Sequence, residues 1–321
     1  MKPLVVVNAL TRIFDVSKPW LNRVIERLPR ALLTAVSDVS MTIEEKSVYA
    51  LVGESGSGKS TIGKMVVGLL PPSAGSVEIE GVDLFRSTDA DAVDAVRGDI
   101  QMIFQDPFAS LNPRWRVRNI ITEPVAARNG DIAGMAERLL EQVGLSALDA
   151  DKYPHEFSGG QRQRICIARA LASEPRLIVC DEPTSALDVS VQAQVLNLMS
   201  DLKDDFGLTY LFISHDLTVV RHMADTVGVL YLGRLVEEAP RDDLFDHPKH
   251  PYTRMLLEAA PKLDGFDRTP ELPKGEIPDP INPPSGCVFH PRCPIAVDQC
   301  KIERPLSRIV GNSRVACHLA E

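Results

Sequence analysis

The stretch Val48-Tyr49-Ala50-Leu51-Val52-Gly53-Glu54-Ser55-Gly56-Ser57-Gly58-Lys59-Ser60-Thr61 decides the fold. Its apolar run predicts a strand, and helical spacing of apolar residues begins at Lys59. Between the two, Gly53 to Ser60 fits G-x-x-x-x-G-K-[ST], which needs that strand-to-helix setting. Gly53, Gly56 and Gly58 let the backbone curl with its N–H groups inward, while Ser55 and Ser57 add small polar positions. The helix N-terminus favours negative charge. Lys59 can reach the β- and γ-phosphates of a nucleotide, and Ser60, followed by Thr61, offers a hydroxyl to Mg²⁺. This predicts a phosphate-binding loop.

Working outward, short apolar runs at 48–52, 100–104, 177–180, 209–213 and 227–231 alternate with helical patterns at 59–70, 160–172 and 191–206. That alternation predicts an α/β core built on a parallel sheet. Residues 110–157 contain helical fragments, including 135–143, but no strong strand. They read as a helical insert placed at about 110–165. The run Leu177-Ile178-Val179-Cys180 ends in Asp181 and Glu182. An acid at the carboxyl end of a sheet strand sits where such folds bind ligands. Asp181 is expected to hold Mg²⁺ through water, and Glu182 to orient or deprotonate the attacking water. Two solvated acids after a buried strand are common, so this pair gains its meaning from the phosphate loop.

Phosphate loops serve kinases, GTPases and motors alike, so other residues must choose among them. Phe157-Ser158-Gly159-Gly160-Gln161 opens a helix about twenty residues before Asp181. It resembles the signature of ATP-binding-cassette (ABC) ATPases, with Phe157 where Leu is usual. Gln105 after a strand, Ser185-Ala186-Leu187-Asp188 past the acidic pair, and His215 in Ile213-Ser214-His215-Asp216 follow in the family's order. The resemblance implies a P-loop NTPase cassette over residues 1–245, with a parallel-sheet core, an antiparallel β part and a helical subdomain. It also implies a small Pro/Cys-rich extension over 246–321. In this family two cassettes meet head to tail, and Ser158, Gly159, Gly160 and Gln161 close on the γ-phosphate held by the partner's loop. Glu182, His215 and Gln105 are then catalytic, Ser60, Gln105 and Asp181 gather round Mg²⁺, and Asp188 orders the dimer contact. Phe14 stands where an aromatic stacks on adenine, with Trp20 as a competitor and core packing as the default for either ring.

Gln105-Asp106-Pro107-Phe108-Ala109-Ser110-Leu111-Asn112-Pro113 and the segment from His250-Pro251-Tyr252-Thr253 onward look like peptide and nickel importers. This resemblance implies an ATP-hydrolysing subunit that energises import of di- or oligopeptides. Nickel, glutathione and opine importers share the same features. The implied partners are a related, non-identical ATPase subunit, two transmembrane permease subunits and an extracytoplasmic solute-binding protein. The implied location is peripheral, on the cytoplasmic face of the inner membrane.

Composition limits the alternatives. With 35 basic against 44 acidic residues the net charge is −9, which disfavours a protein that binds nucleic acid through a general positive field. A soluble ABC ATPase of DNA repair or translation would carry a coiled-coil insert, a second cassette or a zinc module, and none is visible. A catalytically dead subunit is disfavoured because Lys59, Asp181, Glu182 and His215 are all present. No apolar run reaches the roughly 18 residues that span a bilayer, and the start lacks a secretory signal, so the chain is expected to fold in the cytoplasm.

Twelve of the 24 prolines fall between Pro248 and Pro305, which sets a domain limit near residue 245. Cys287, Cys293, Cys300 and Cys317 lie in that tail, where a large core cannot form and metal ligation could cross-link the loops. Their spacing lacks the close pairs of common zinc folds, although His290 and His318 keep zinc open, as are free thiols. The resemblance to peptide importers implies a [4Fe-4S] cluster.

Overall fold

A computed structural model describes residues 2–26, 29–128, 130–259 and 275–321. Among the described residues the strands are β1 (Pro3–Asp15), β2 (Leu32–Glu44), β3 (Val48–Val52), β4 (Ala74–Ile79), β5 (Val82–Asp83) and β6 (Ile100–Ile103), then β7 (Leu177–Asp181), β8 (Thr209–Ser214), β9 (Thr226–Tyr231), β10 (Arg234–Pro240), β11 (Arg308–Val310) and β12 (Ser313–Val315). They form a four-stranded sheet of order β2-β1-β4-β5 and an eight-stranded sheet of order β11-β12-β10-β9-β3-β8-β7-β6. The first is antiparallel throughout, and the second is parallel from β9 to β6.

The parallel strands lie in the core because both of their faces are covered. Every residue of β3, β7 and β8 is buried, as a sheet flanked on both sides requires. Alternation along a strand divides the faces. Tyr210 and Phe212 join the core under the helical insert, whereas Leu211 and Ile213 join the core beneath helix Lys59–Val66 and the antiparallel sheet. Ile62, fully buried in that helix, contributes about 1.5–3 kcal/mol of burial. Gly63 allows the close approach, since a Cβ there would meet Ile213 Cδ1 at 2.8 Å and Val179 Cγ1 at 3.1 Å. The helix is thereby pressed onto β7 and β8, which fixes Lys59 and Ser60 beside the end of β7.

The five strands and four helices expected from spacing are present, with ends moved by a few residues. Helix Lys59–Val66 stops four residues short of the expected end, where Gly68 takes a left-handed conformation at φ 76°. The insert consists of helices Pro107–Ser110, Val117–Ala126 and Met135–Gln142 and two 3₁₀ turns, Ala147–Asp151 and Pro154–Glu156. These pack through Leu139, Leu140, Ile120 and Ile121 against helix Gly159–Leu171.

The tail is more closely joined to the cassette than a limit near 245 suggests. Strand β12 pairs with β10 and carries β11, so the C-terminal segment extends the cassette's own sheet and covers an edge strand. Tyr252, Val288 and Phe289 complete a third apolar cluster with Val52, Val229 and Tyr231. Part of the proline-rich stretch, 260–274, lies outside the described residues.

Candidate functional site

The phosphate loop runs from the end of β3 into helix Lys59–Val66. Gly53 and Gly58 have φ of 151° and 103°, and a Cβ on either would meet the carbonyl oxygen of Leu230 at 2.1 Å or of Ala35 at 2.3 Å. Only glycine fits at these two positions. Gly56 turns at φ 77° with open space around it, and Ser55 beside it is exposed. Lys59 folds back over the loop. Its Nζ donates to the carbonyls of Gly53 at 2.7 Å and Glu54 at 2.9 Å, and to Ser57 Oγ at 3.4 Å. Burial lowers the Lys59 pKa, against the raising pull of Glu182, Asp181 and Glu54. A buried ammonium bonded only to uncharged oxygens is poised for an anion.

Asp181 ends β7 and accepts a 2.8 Å hydrogen bond from Ser60 Oγ. Burial raises its pKa, partly offset by the Ser60 bond. A half-buried hydroxyl and a buried carboxylate at this separation suit a hard divalent cation, because a nearby positive charge removes the penalty on the ionised acid. The next residue, Glu182, adopts a left-handed conformation at φ 48° that turns its side chain out of the strand direction. One carboxylate oxygen accepts from Gln105 Nε2 at 2.9 Å, and the other lies 3.1 Å from His215 Nδ1. Gln105 follows β6 and His215 follows β8, the two strands that flank β7, so sheet order brings these groups together at Glu182. Glu182, Ser185, Leu187, Gln192 and His215 line a shallow open cavity.

The signature residues are not part of this constellation. Ser158 caps helix Gly159–Leu171 in a reciprocal box with Gln161: the Gln161 N–H donates to Ser158 Oγ at 3.4 Å, and the Ser158 N–H donates to Gln161 Oε1 at 3.0 Å. Ser158 is exposed, Gly159 is half-buried, and a Cβ on Gly160 would lie 2.3 Å from Val191 Cγ1. Among the described residues no hydrogen bond joins this segment to the phosphate loop. Asp188 is also exposed, at the start of helix Val189–Phe206. Phe14 is half-buried in β1 with the Arg12 guanidinium 4.7 Å from its ring centre, whereas Trp20 is 73% exposed. Neither ring touches the phosphate loop through a described hydrogen bond.

The expected [4Fe-4S] centre has no preformed counterpart. Among the described residues, no group of three or more His, Cys, Asp or Glu side chains is arranged to hold a metal ion. The four thiols are free, with Cys300 buried in the short helix Asp298–Ile302 and the other three outside helices and strands, and burial raises the pKa of Cys287, Cys293 and Cys317. Cys287 and Cys300 are brought together by the backbone, the Cys287 N–H donating to the Cys300 carbonyl at 2.8 Å.

Spacing alone gave no hint of Tyr252 and Arg292, which reach the phosphate loop from the tail. The Glu54 N–H donates to Tyr252 Oη at 2.9 Å, and Arg292 donates through both terminal nitrogens to the Glu54 carboxylate at 2.7 and 2.9 Å. The residues are roughly two hundred positions apart, and no period or motif spans such a distance.

Residues 36–185 match the family model "ABC transporter", and residues 236–300 match "Oligopeptide/dipeptide transporter, C-terminal region". The chain is 50% identical over 293 residues to the oligopeptide transport ATP-binding protein AppF of Bacillus subtilis, covering 89% of each. It is 43% identical to the di/tripeptide transport ATP-binding protein DppF of Pseudomonas aeruginosa, over 100% of this chain and 99% of that one. Among solved structures, the dimeric post-hydrolysis state of the ATP-binding cassette MJ0796 bound to ADP and Pi superposes with a TM-score of 0.63 at 27% identity, covering 74% of this chain and 98% of that one. The cassette cbiO1 of Clostridium perfringens, part of the complex cbiONQ, gives 0.63 at 25% identity, covering 77% and 92%.

Proposed function

The chain belongs to the ABC transporter family, and from that membership we propose that it hydrolyses ATP to energise peptide import, with the groups at the ends of β3, β7 and β8 as its hydrolytic site. The observation that carries the site is Glu182, whose two oxygens are held by Gln105 and His215 beside the Ser60–Asp181 pair. Gly53 and Ser55 to Thr61 bind the triphosphate, chiefly through backbone N–H groups, with Lys59 leaving its carbonyl partners for phosphate oxygens. Ser60, Asp181 and Gln105 hold Mg²⁺. That ion, when bound, neutralises charge on the phosphates. Glu182 orients the attacking water and accepts its proton, and His215 and Gln105 keep the carboxylate aimed.

Ser158 to Gln161 act on a second cassette. They present a capped helix N-terminus to solvent and, among the described residues, make no hydrogen bond to their own loop, which supports a head-to-tail pair in which Asp188 lies at the contact. Phe14 takes the adenine, its ring already stacked by a planar cation at 4.7 Å. No described helix is long and apolar enough to cross a membrane. The chain therefore works through permease subunits, docked at the inner membrane beside a related ATPase subunit and supplied by a solute-binding protein.

In the tail, Cys287, Cys293, Cys300 and Cys317 would hold a [4Fe-4S] cluster. Support comes from the backbone bond that joins Cys287 to Cys300 and from the N–H groups of Phe289, Ile295 and Leu319, which bond Cys287, Cys293 and Cys317 and would favour their thiolates. Protein purified without oxygen should be brown and carry iron and sulfide in equal amounts. Colourless protein with stoichiometric zinc would exclude the cluster.

The function is tested by reconstituting the full chain with its membrane subunits and measuring ATP hydrolysis together with uptake of labelled di- and oligopeptides. Hydrolysis stimulated by peptide and its binding protein is expected. A preparation that hydrolyses ATP but moves only nickel would redirect the substrate assignment.

A further inference from the structure

A carboxylate inside a loop built to hold a triphosphate opposes its purpose. Glu54 is such a group, and its charge reaches Lys59, the loop's own cation. Like charges near an anion site reduce affinity by an amount that grows as water is excluded. Yet the carboxylate is largely withdrawn from water, with 22% of its side chain exposed, and is matched by an almost fully buried guanidinium, with Arg292 at 3%. The pairing is bidentate, the strongest geometry available to these groups. Arg292 also donates to Tyr231 Oη at 3.4 Å, so it is braced against β9.

A second contact arrives from the same extension. The Glu54 N–H is spent on Tyr252 Oη and so does not point into the phosphate cradle. Tyr252 is itself fully buried, its ring 4.6 Å from that of Tyr231 and 5.4 Å from that of Phe289. The orientation of one peptide and the direction of one carboxylate in the phosphate loop are therefore both set by residues beyond the cassette's sheet core.

We propose that Arg292 and Tyr252 are positioning residues of the phosphate loop: Arg292 neutralises Glu54 and holds it away from the triphosphate, and Tyr252 fixes the Glu54 peptide. The inference rests on the ATP-binding reading of the loop. It makes the C-terminal extension part of the nucleotide site, so that disturbance of the tail is read out as altered ATP affinity.

The test uses the full chain and Mg-ATP titration, with steady-state hydrolysis in the assembled transporter. Arg292→Gln leaves Glu54 charged and unpaired, and ATP binding is expected to weaken about tenfold. Adding Glu54→Gln removes the repulsion, so the double variant should recover to within about threefold of the parent, as replacement of both partners of a buried pair permits. Tyr252→Phe keeps the ring and its packing but loses the acceptor, and should raise the KM for ATP severalfold with kcat retained. If the extension is only an anchor, Arg292→Gln lowers the melting temperature while ATP affinity stays parental, or the double variant binds ATP no better than Arg292→Gln. Either outcome overturns the proposal. Lys59→Ala serves as the separate control: a parent that does not bind ATP, or a Lys59→Ala chain that binds it equally well, would remove the ATP-binding reading itself.

Discussion

His215 Nδ1 lies 3.1 Å from Glu182 Oε1, although the two residues leave the sheet from different strands. The imidazole is 59% exposed and the carboxylate 17%, so a group open to water steers one that is mostly enclosed. Replacing Glu182 with Gln preserves size and the hydrogen bond from Gln105 in altered form but removes the base. ATP hydrolysis should fall about 10²–10⁴-fold while ATP still binds. Hydrolysis at the parental rate would take Glu182 out of that role. His215→Ala should reduce hydrolysis less, because Gln105 still holds the other oxygen.

The two signature glycines should differ. A Cβ at position 160 would meet Val191 Cγ1 at 2.3 Å, and Val191 has little rotamer freedom on a helix. At position 159 the nearest atom, Leu187 Cδ2, is at 3.6 Å, an ordinary contact. Gly160→Ala is therefore expected to destabilise the fold by about 1–3 kcal/mol in urea unfolding, by prising helix Gly159–Leu171 from helix Val189–Phe206. Gly159→Ala should unfold with the parent. Equal losses at both positions would contradict the packing explanation.

How much of this was legible depended on distance along the chain. The phosphate loop could be read directly, because strand, glycines, lysine and helix are contiguous and each answers a local requirement. Asp181 followed from its place at a strand end. Gln105 and His215 gained meaning only from the family resemblance, since their meeting at Glu182 depends on the order β3-β8-β7-β6, which no local pattern encodes. The antiparallel sheet escaped the periodicity of the sequence for a different reason. Strands β1 and β2 are 13 residues each, with repeated register shifts and left-handed residues at Ala9 and Asp38, so their alternation is broken. The Glu54–Arg292 pair was illegible because it is purely tertiary.

His250 provides a pH-dependent test of how the extension is anchored. It is fully buried, and desolvation pushes its pKa down to about 3. Its Nδ1 accepts from the Tyr252 N–H at 3.0 Å, which requires the unprotonated nitrogen, and the His250 backbone N–H donates to the buried Glu237 carboxylate at 2.9 Å. An unfolded chain protonates this histidine near its ordinary value of 6.5 while the folded chain does not. Stability from this group is thus complete above about pH 6.5 and is lost as pH falls toward 3. The slope approaches about 1.4 kcal/mol per pH unit well below 6.5. Urea unfolding from pH 7 to 5 should show that loss in the parent and a shallower one in His250→Gln. Parallel curves for the two would mean that His250 titrates in the folded state.

Ser158 allows the head-to-tail pairing to be separated from the integrity of the signature helix. Its Oγ caps helix Gly159–Leu171, so substitution by Ala would remove a cap worth about 1 kcal/mol and confuse a folding defect with a functional one. Asp caps as well as Ser, yet it adds a carboxylate at an exposed helix N-terminus where the partner's γ-phosphate is expected. In the Glu182→Gln background, where ATP is bound but not cleaved, the parental signature should give an ATP-dependent dimer by light scattering. Ser158→Asp should bind ATP with unchanged affinity as a monomer and fail to dimerise, because two anions cannot share one helix terminus without cost. A Ser158→Asp chain that still dimerises with ATP would place the signature away from the interface, and the head-to-tail arrangement would have to be abandoned.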